Sequence, residues 1–559
     1  MKNIKNIVIL SLAASIASGA LLTGCGKKQS ADAPVEINFL SCWQGKSSAN
    51  DPQNLDEDIV GKKMLEDINV IITPQYITSS ETEKLNVMFA SGDMPDLVSA
   101  PFWGGSDGST LIIKKAAKEG MISPLNDYLE EHAPDIDYAF TQNLYSQFIE
   151  RDLEDPAFNG NKYLIPAGIL ASPEDSIPEP EMLYIRKDIM EALNVDRNTI
   201  NTADDVYELL KKIDAGDFKD ANGQDVIPAS AQHKGYRLDR FWPSFYSGKM
   251  GEDYLAFTGY YKDENGKVMD DFFSYEVEER CKYIAKLVRE GLMDVEAFTH
   301  TAARSDEKIT NGSVAIVPGK ASFFNTKCEP TLYKTHPEME YVPLNVLKNR
   351  EGERVQYSIK GSTGSQVLFF PKNNKEEKII AGLKAIQWLN TDEGRLLHYY
   401  GEEGTHYTMA NGQPRMNEDV LSKYKADPST LTKQGLRMKY SNFILRNDCL
   451  TKYGEATPGE SDSVDPRVEF GRSFQPEIEY VDGVKVNYFE DDYPQIENIR
   501  AVKLDSKISE TISRAYFAKS DEEVVEILNG YREQLKASGI QGLFDFIQEK
   551  AEELENPLF

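Results

Sequence analysis

Histidine is scarce in this chain, with 6 in 559 residues, and its 5 cysteines never stand as a CxxC pair. A zinc knuckle or a dithiol redox motif needs closely spaced thiols, so both are excluded as readings. HExxH does not occur, which removes that zinc-hydrolase signature. Past the first 25 or so residues there is no second long apolar run, and hence no sequence signal for a further membrane span. Positive charge is short, with 62 Lys and Arg against 91 Asp and Glu for a net −29. Phosphate neutralisation needs clustered cations, so a nucleic-acid partner is not expected. The same sign disfavours anionic ligands, although a local pocket can carry the opposite charge. Internal repeats and low-complexity blocks are also missing.

The amino terminus is richer in information. Lys2 and Lys5 precede an apolar run from Ile7 to Leu22, broken by Ser11, Ser15 and Ser18. A basic flank, a short hydrophobic segment and small residues at its end are the layout of a secretory signal, and the run is too interrupted for a membrane anchor. It ends in Leu22-Thr23-Gly24-Cys25, which resembles the lipobox of bacterial lipoproteins. Residues 1–24 are therefore expected to be removed, leaving Cys25 lipidated as the first mature residue. Each buried methylene of an acyl chain contributes roughly 0.8 kcal/mol, so two chains hold far more firmly than one. The expected location is the extracellular face of the cell membrane, tethered through residues 25–34. The remainder, 40% hydrophobic and 10% aromatic over the whole chain, has room for two or three domains with sizeable cores. Cys42, Cys281, Cys328 and Cys449 remain after Cys25, and spacing assigns neither disulfides nor free thiols to them.

Along the body, Val35, Ile37 and Phe39 predict a strand running into Ser41-Cys42-Trp43-Gln44-Gly45. Helical potential near 55–68 precedes a second strand at 70–73. Ser80 and Glu83 have capping-box spacing for a helix whose Leu85, Met88 and Phe89 share a face. Gly92 suits a left-handed turn, Pro95 cannot continue the helix, and Leu97-Val98 reads as a buried strand. This β-α-β-α-β order implies an α/β fold with a mainly parallel sheet, in which ligands sit at loops after the carboxyl ends of strands. Trp43 and Trp103 both occupy such loops. Farther on, strands are expected at 162–166, 183–186, 314–317 and 367–371. Helices are expected at 187–194, at 281–290 with Gly291 as cap, at 376–397, and over 521–555 with breaks at Gly539 and Gly542.

Several blocks together resemble the extracytoplasmic solute-binding lipoproteins of carbohydrate ABC transporters, in the long subgroup found in Gram-positive bacteria. They are the lipobox, KLNVMFASGDMPDLV (84–98), EGMISPLNDYLEEHAPDI (119–136), NKYLIPAG (161–168), LYIRKDIMEALNV (183–195), REGLMDVEAF (289–298) and EEKIIAGLKAIQWLNTDEGRLLHYYGEEGTHYT (376–408). The resemblance implies a two-lobed, type II periplasmic-binding-protein-like fold with hinge crossovers and a central ligand cleft. It places residues 35–165 plus 366–412 in the first lobe and 166–365 plus 413–559 in the second. It also implies capture of an oligosaccharide for a membrane permease, and the chain is expected to act as a monomer, without catalysis, cofactor or metal.

Sugars offer apolar C–H faces to aromatic rings and hydroxyls to polar side chains. On that basis Trp43, Trp103 with its neighbour Phe102, and Asp107 are first-lobe candidates. Trp242, in the aromatic run Arg240-Phe241-Trp242-Pro243-Ser244-Phe245-Tyr246, is a second-lobe stacking candidate with core packing as the alternative. The resemblance points the loop after NGSVAIV at ligand, which here brings Phe323 and, less strongly, Phe324. Arg186 offers donors but has a neighbouring carboxylate to pair with, and Tyr407 closes the returned first-lobe segment. Trp388 reads as core. The stretch KGSTGS (360–365) lacks the GK[ST] ending of a phosphate loop and reads as a hinge-side loop. The loop Asp220–Asp225 has acidic and Gly character. However, Phe218 and Ala229 stand where an EF-hand needs oxygen ligands, so a polar turn is expected. Two alternatives stay open: a glycan hydrolase with paired carboxylates, and a binding protein for a non-sugar solute.

Overall fold

The computed structural model describes residues 33–43, 48–102, 108–136, 152–170, 181–246, 259–359, 366–455, 477–481, 484–503 and 505–559. The leader, Cys25, the loop 360–365, Trp103 and Asp107 lie outside the described residues.

The first sheet grows from the sequence as the alternation predicts. Strands β1 (Val35–Ser41), β2 (Val70–Tyr76) and β3 (Leu97–Pro101) run parallel, with β1 in the middle. Successive side chains on a strand point to opposite faces, and here both faces are buried. Ile37, Phe39, Leu97 and Leu368 enter one core, while Leu40, Val98, Val367 and Phe369 enter the other. Between strands, α1 (Ile59–Ile68) starts at Asp58, whose carboxylate accepts the Gly61 N–H at 2.8 Å. Helix α2 (Glu81–Ser91) starts at Ser80 and ends at Gly92, with φ +72° and an N–H donated to the Met88 carbonyl at 3.1 Å. Only the left-handed region lets a helix stop so sharply, and glycine enters it without strain.

The chain leaves this sheet through β4 (Ile165–Ala167) and builds a second one. Its strands are β5 (Met182–Arg186), β6 (Ile227–Ala229), β7 (Val314–Gly319) and β8 (Tyr341–Asn345), in the order β8-β5-β7-β6. β6 and β7 are parallel, but β5 runs antiparallel to both its neighbours, so this sheet is mixed and not mainly parallel. The chain then returns as β9 (Gln366–Phe369), inserted antiparallel between β3 and β4.

Three expectations are corrected. The helix expected over 376–397 is two, Glu376–Leu389 and Asp392–Tyr400, because the Thr391 hydroxyl caps a new start by accepting the Gly394 N–H at 3.1 Å. Gly542 does not break the last helix, Ile540–Glu552. It lies inside that helix, where any Cβ would collide with the Tyr493 hydroxyl. Residues 413–445 do not pack on the second lobe: Met416, Leu431, Tyr440, Phe443 and Leu445 belong to the first sheet's core. Among the described residues, later segments from Val486 through the helices Asp521–Ala537 and Ile540–Glu552 join the second core. Trp388 is core, with its indole N–H donated to Asp67 at 3.1 Å. No helix among the described residues is long and apolar enough to cross a membrane.

Cys42, Cys281, Cys328 and Cys449 are buried thiols, not joined in disulfides. Burial pushes the Cys42 thiol up to about 12, with Lys84 opposing the rise, and the Cys281 thiol up to about 11 against the pull of Arg280. Thiolate is the reactive form. Native protein lacking Cys25 is therefore expected to react negligibly with Ellman's reagent at pH 8, then to release all four equivalents in denaturant. A fast native-state equivalent would show that one of these sites opens.

Candidate ligand cleft

Register places one edge of each sheet at the crossovers. In the first sheet, Ser41 pairs with Ser99, and Gln366 pairs with both Pro101 and Ala167, so the carboxyl ends of β1, β3 and β4 share that edge. In the second, Gly319 pairs with Met182 and Asn345 with Leu183. The chain passes from Ala167 to Met182 and from Asn345 back to Gln366, so both connections join these two edges. In α/β folds, loops at such strand ends are the usual place for a ligand.

Behind the first-lobe edge lies a polar network that sequence reading missed. The Asn442 amide donates to Gln366 Oε1 at 2.7 Å and to Ser99 Oγ at 3.1 Å, and Ser41 Oγ donates to Asn442 Oδ1 at 3.2 Å. Gln366 returns a bond to the Asn442 carbonyl at 3.1 Å. All four residues are buried, and a buried amide left unpaired costs about 1–3 kcal/mol, so the network fixes β1, β3 and β9 relative to the 441–443 turn. Trp43 follows β1 on this edge, half-buried. Phe102 does not stand out as a stacking group: it is a core residue, 2% exposed.

On the second-lobe edge, the helix Ala321–Cys328 follows β7 directly. An open pocket of about 280 Å³ there is lined by Gln232, Arg237, Lys320, Ser322, Phe323 and Lys327 among others. Phe323 lines this pocket. Its neighbour Phe324 does not, being fully buried with its ring 4.5 Å from that of Tyr184 and 5.0 Å from that of Tyr341. Glu181, just before β5, forms ion pairs with Arg237, with Arg240 at 2.8 Å and with Lys320 at 3.1 Å. Burial alone would raise its pKa, but Arg240, Arg237 and Lys320 outweigh that and hold the carboxyl below its ordinary value. Arg237 has φ +63°, in a turn where Lys234 is also left-handed at +52°. Such a conformation costs a non-glycine residue of the order of 1–3 kcal/mol and persists only where its surroundings enforce it. Its guanidinium also lies over the Tyr236 ring, 4.8 Å from the centroid.

The structure separates three candidates from this pocket. Arg186 sits at the far end of β5, where it pairs with Asp188 at 2.5 Å and donates to the carbonyls of Lys219 and Gly312 at 2.9 and 2.6 Å. Its donors are consumed by structure at the edge opposite Met182. Trp242 is 5% exposed within the second core, with the Arg280 guanidinium 5.4 Å from its ring, so neither face is an open platform. Tyr407 is packed with Tyr400, Cys449 and Tyr453 in a satellite core. The Asp220 loop is a closed polar turn: one carboxylate oxygen accepts the N–H groups of Asn222 and Gln224, and the other accepts the Ser313 hydroxyl. The Lys219 ammonium pairs with both Asp217 and Asp225. Glu181, Gln232 and Arg237 were not found from sequence. Glu181 and Arg240 are 59 positions apart, and nothing local links them.

Two α/β lobes connected through strand edges, with a polar and aromatic pocket on one of them, have the architecture of a binding protein. Residues 62–396 match the family model described as bacterial extracellular solute-binding protein, and the chain belongs to that family, one of binding proteins and not of enzymes. Lipoprotein LipO of Bacillus subtilis (strain 168) is 25% identical over 342 residues, which are 60% of this chain and 61% of LipO. The fructooligosaccharide ABC transporter substrate-binding protein FusA of Streptococcus pneumoniae is 26% identical over 307 residues, 51% of this chain and 52% of FusA. The chain thus spans between about half and three-fifths of the length of these curated relatives. Among solved structures, FusA in complex with kestose aligns with a TM-score of 0.62 at 17% identity, covering 93% of this chain and 99% of that one. The alginate-binding protein AlgQ2 without calcium ion gives 0.60 at 20% identity, covering 93% and 98%. Both likenesses establish the two-lobed fold.

Proposed function

We propose that this protein captures an oligosaccharide between its lobes and hands it to the permease of an ABC transporter, while held on the outer face of the membrane by lipid on Cys25. The observation carrying this reading is the second-lobe pocket, where the Phe323 ring stands beside the polar groups of Gln232, Arg237, Lys320 and Ser322. A flat ring beside convergent hydrogen-bonding groups suits the two faces of a sugar. The opposite edge, with Trp43 after β1, supplies the second half of a clamp. Closure is favoured because only a closed form touches ligand from both sides. Trp103 and Asp107 remain candidates for the first-lobe half.

A panel of oligosaccharides screened by thermal shift, followed by isothermal titration, tests the reading. A ligand at 100 times its Kd stabilises the folded state by about 2.7 kcal/mol, a readily measured rise in Tm. Sugar is expected to raise Tm without being turned over. If no glycan did so while a peptide or another solute did, the sugar assignment would fall. Cys25→Ala is expected to move the protein from the membrane fraction to the medium, and retention on the membrane would remove the anchor.

A further inference from the structure

The pocket beside Phe323 measures about 280 Å³. Small-molecule sites run from roughly 300 to 1,000 Å³, so this one falls just below that range and an oligosaccharide must continue past its mouth. One wall of the pocket decides what such a chain meets there. Gln232 and Arg237 both line the pocket, and Tyr236, 52% exposed, lies in the turn between them. The Gln232 N–H donates to the Tyr236 carbonyl at 3.1 Å, which closes that turn. The Arg237 guanidinium lies 4.8 Å from the centroid of the Tyr236 ring and donates to its hydroxyl at 3.4 Å. The ring is therefore one guanidinium removed from the pocket.

This exposed ring is also held in place. Arg237 is anchored by its ion pair with Glu181, which Arg240 and Lys320 also touch. Behind the turn, Gly235 packs close to Phe298, whose ring would lie 3.9 Å from any Cβ there. Lys234, Gly235 and Arg237 are all left-handed, with φ of +52°, +78° and +63°. Two of the three are not glycine, and strain of that kind persists only where the surroundings enforce it. The His233 ring approaches Tyr236 at 5.6 Å but tilted by 31°, a partial cover that leaves about half the residue open. A ring already fixed in orientation loses little freedom on binding, so more of its contact appears as affinity.

We propose that Tyr236 is a second stacking platform, taking a sugar residue beyond the one at Phe323, so that the site reads chain length. The proposal rests on the oligosaccharide reading above and names the path by which the chain leaves the pocket. Phe323 contacts a ligand of any length, whereas Tyr236 touches only one long enough to pass the Arg237 guanidinium.

Isothermal titration of the full mature chain with homologous series tests this. Fructo-, malto- and xylo-oligosaccharides and oligogalacturonides are each taken from monosaccharide to pentasaccharide. Within a series that binds, affinity is expected to rise about tenfold at the length that first reaches Tyr236. Tyr236→Ala is expected to remove that step and leave shorter members unchanged, while Phe323→Ala weakens every member. Tyr236→Phe should keep the step, because it retains the ring and loses only the hydroxyl. The length dependence separates this role from a structural one, which would weaken every member alike. A step that survives Tyr236→Ala, or no step at all, would overturn the platform and leave sugar capture standing. Loss of the step in Tyr236→Phe would also overturn it, by assigning the contact to the hydroxyl. If no glycan of any length bound, both readings would fall together.

Discussion

Phe323→Ala is expected to weaken sugar binding by about tenfold or more while changing unfolding free energy by no more than about 1 kcal/mol. Its immediate neighbour should behave in the opposite way. Phe324→Ala is expected to cost about 3–5 kcal/mol of stability, the range for deleting a fully buried aromatic ring. The difference follows from geometry. Phe323 lines an open pocket at the strand edge, whereas Phe324 is sealed between Tyr184 and Tyr341 and approached by the backbone of Gly319. Urea unfolding with isothermal titration on both variants reads the two quantities separately. Equal losses of stability from the two substitutions would make Phe323 a core residue and remove the aromatic half of the site.

Asp58→Ala is expected to be the most destabilising single polar substitution at α1, at about 3–5 kcal/mol. Asp58 is 1% exposed and does three jobs at once. Its carboxylate caps α1 through the Gly61 N–H at 2.8 Å, accepts the Tyr440 hydroxyl at 2.7 Å and pairs with the Lys439 ammonium. A helix cap alone accounts for about 1 kcal/mol. The larger part comes from leaving Lys439 and Tyr440 without their shared partner at a site that excludes water. The same contacts pin the 435–440 segment against the first sheet, so the fall in urea midpoint should come with faster proteolysis there. A loss below about 1 kcal/mol would show that water or another acceptor replaces the carboxylate.

Asp58 also shows how far sequence reading reaches. A potential helix was legible near 55–68, but the partners of its cap lie 381 and 382 positions away. The Ser41–Ser99–Gln366–Asn442 network is likewise built from four separate segments, and no periodicity announces it. Lone arginines behave the same way in a sequence. Arg186 and Arg237 look alike as donors, yet strand direction sends one to the far end of its sheet and backbone strain holds the other at the mouth of the pocket.

The sequence by itself determined what depends on neighbours within a few residues. The strand alternation in Val35–Ser41, the Ser80 cap and Gly92 stop of α2, and the β-α-β-α-β order that opens the first sheet are of this kind. Each is set by side-chain direction, hydrogen-bond geometry or an allowed φ, all of which act locally. Only the tertiary structure decided that residues 413–445 return to the first lobe, that Trp242 and Phe324 are core while Phe323 is not, and that Arg237 and Lys320 converge on Glu181. Those outcomes depend on which distant surfaces exclude water from one another. Burial is a property of the assembled chain, and an aromatic residue reads the same in sequence whether it faces a core or a cleft.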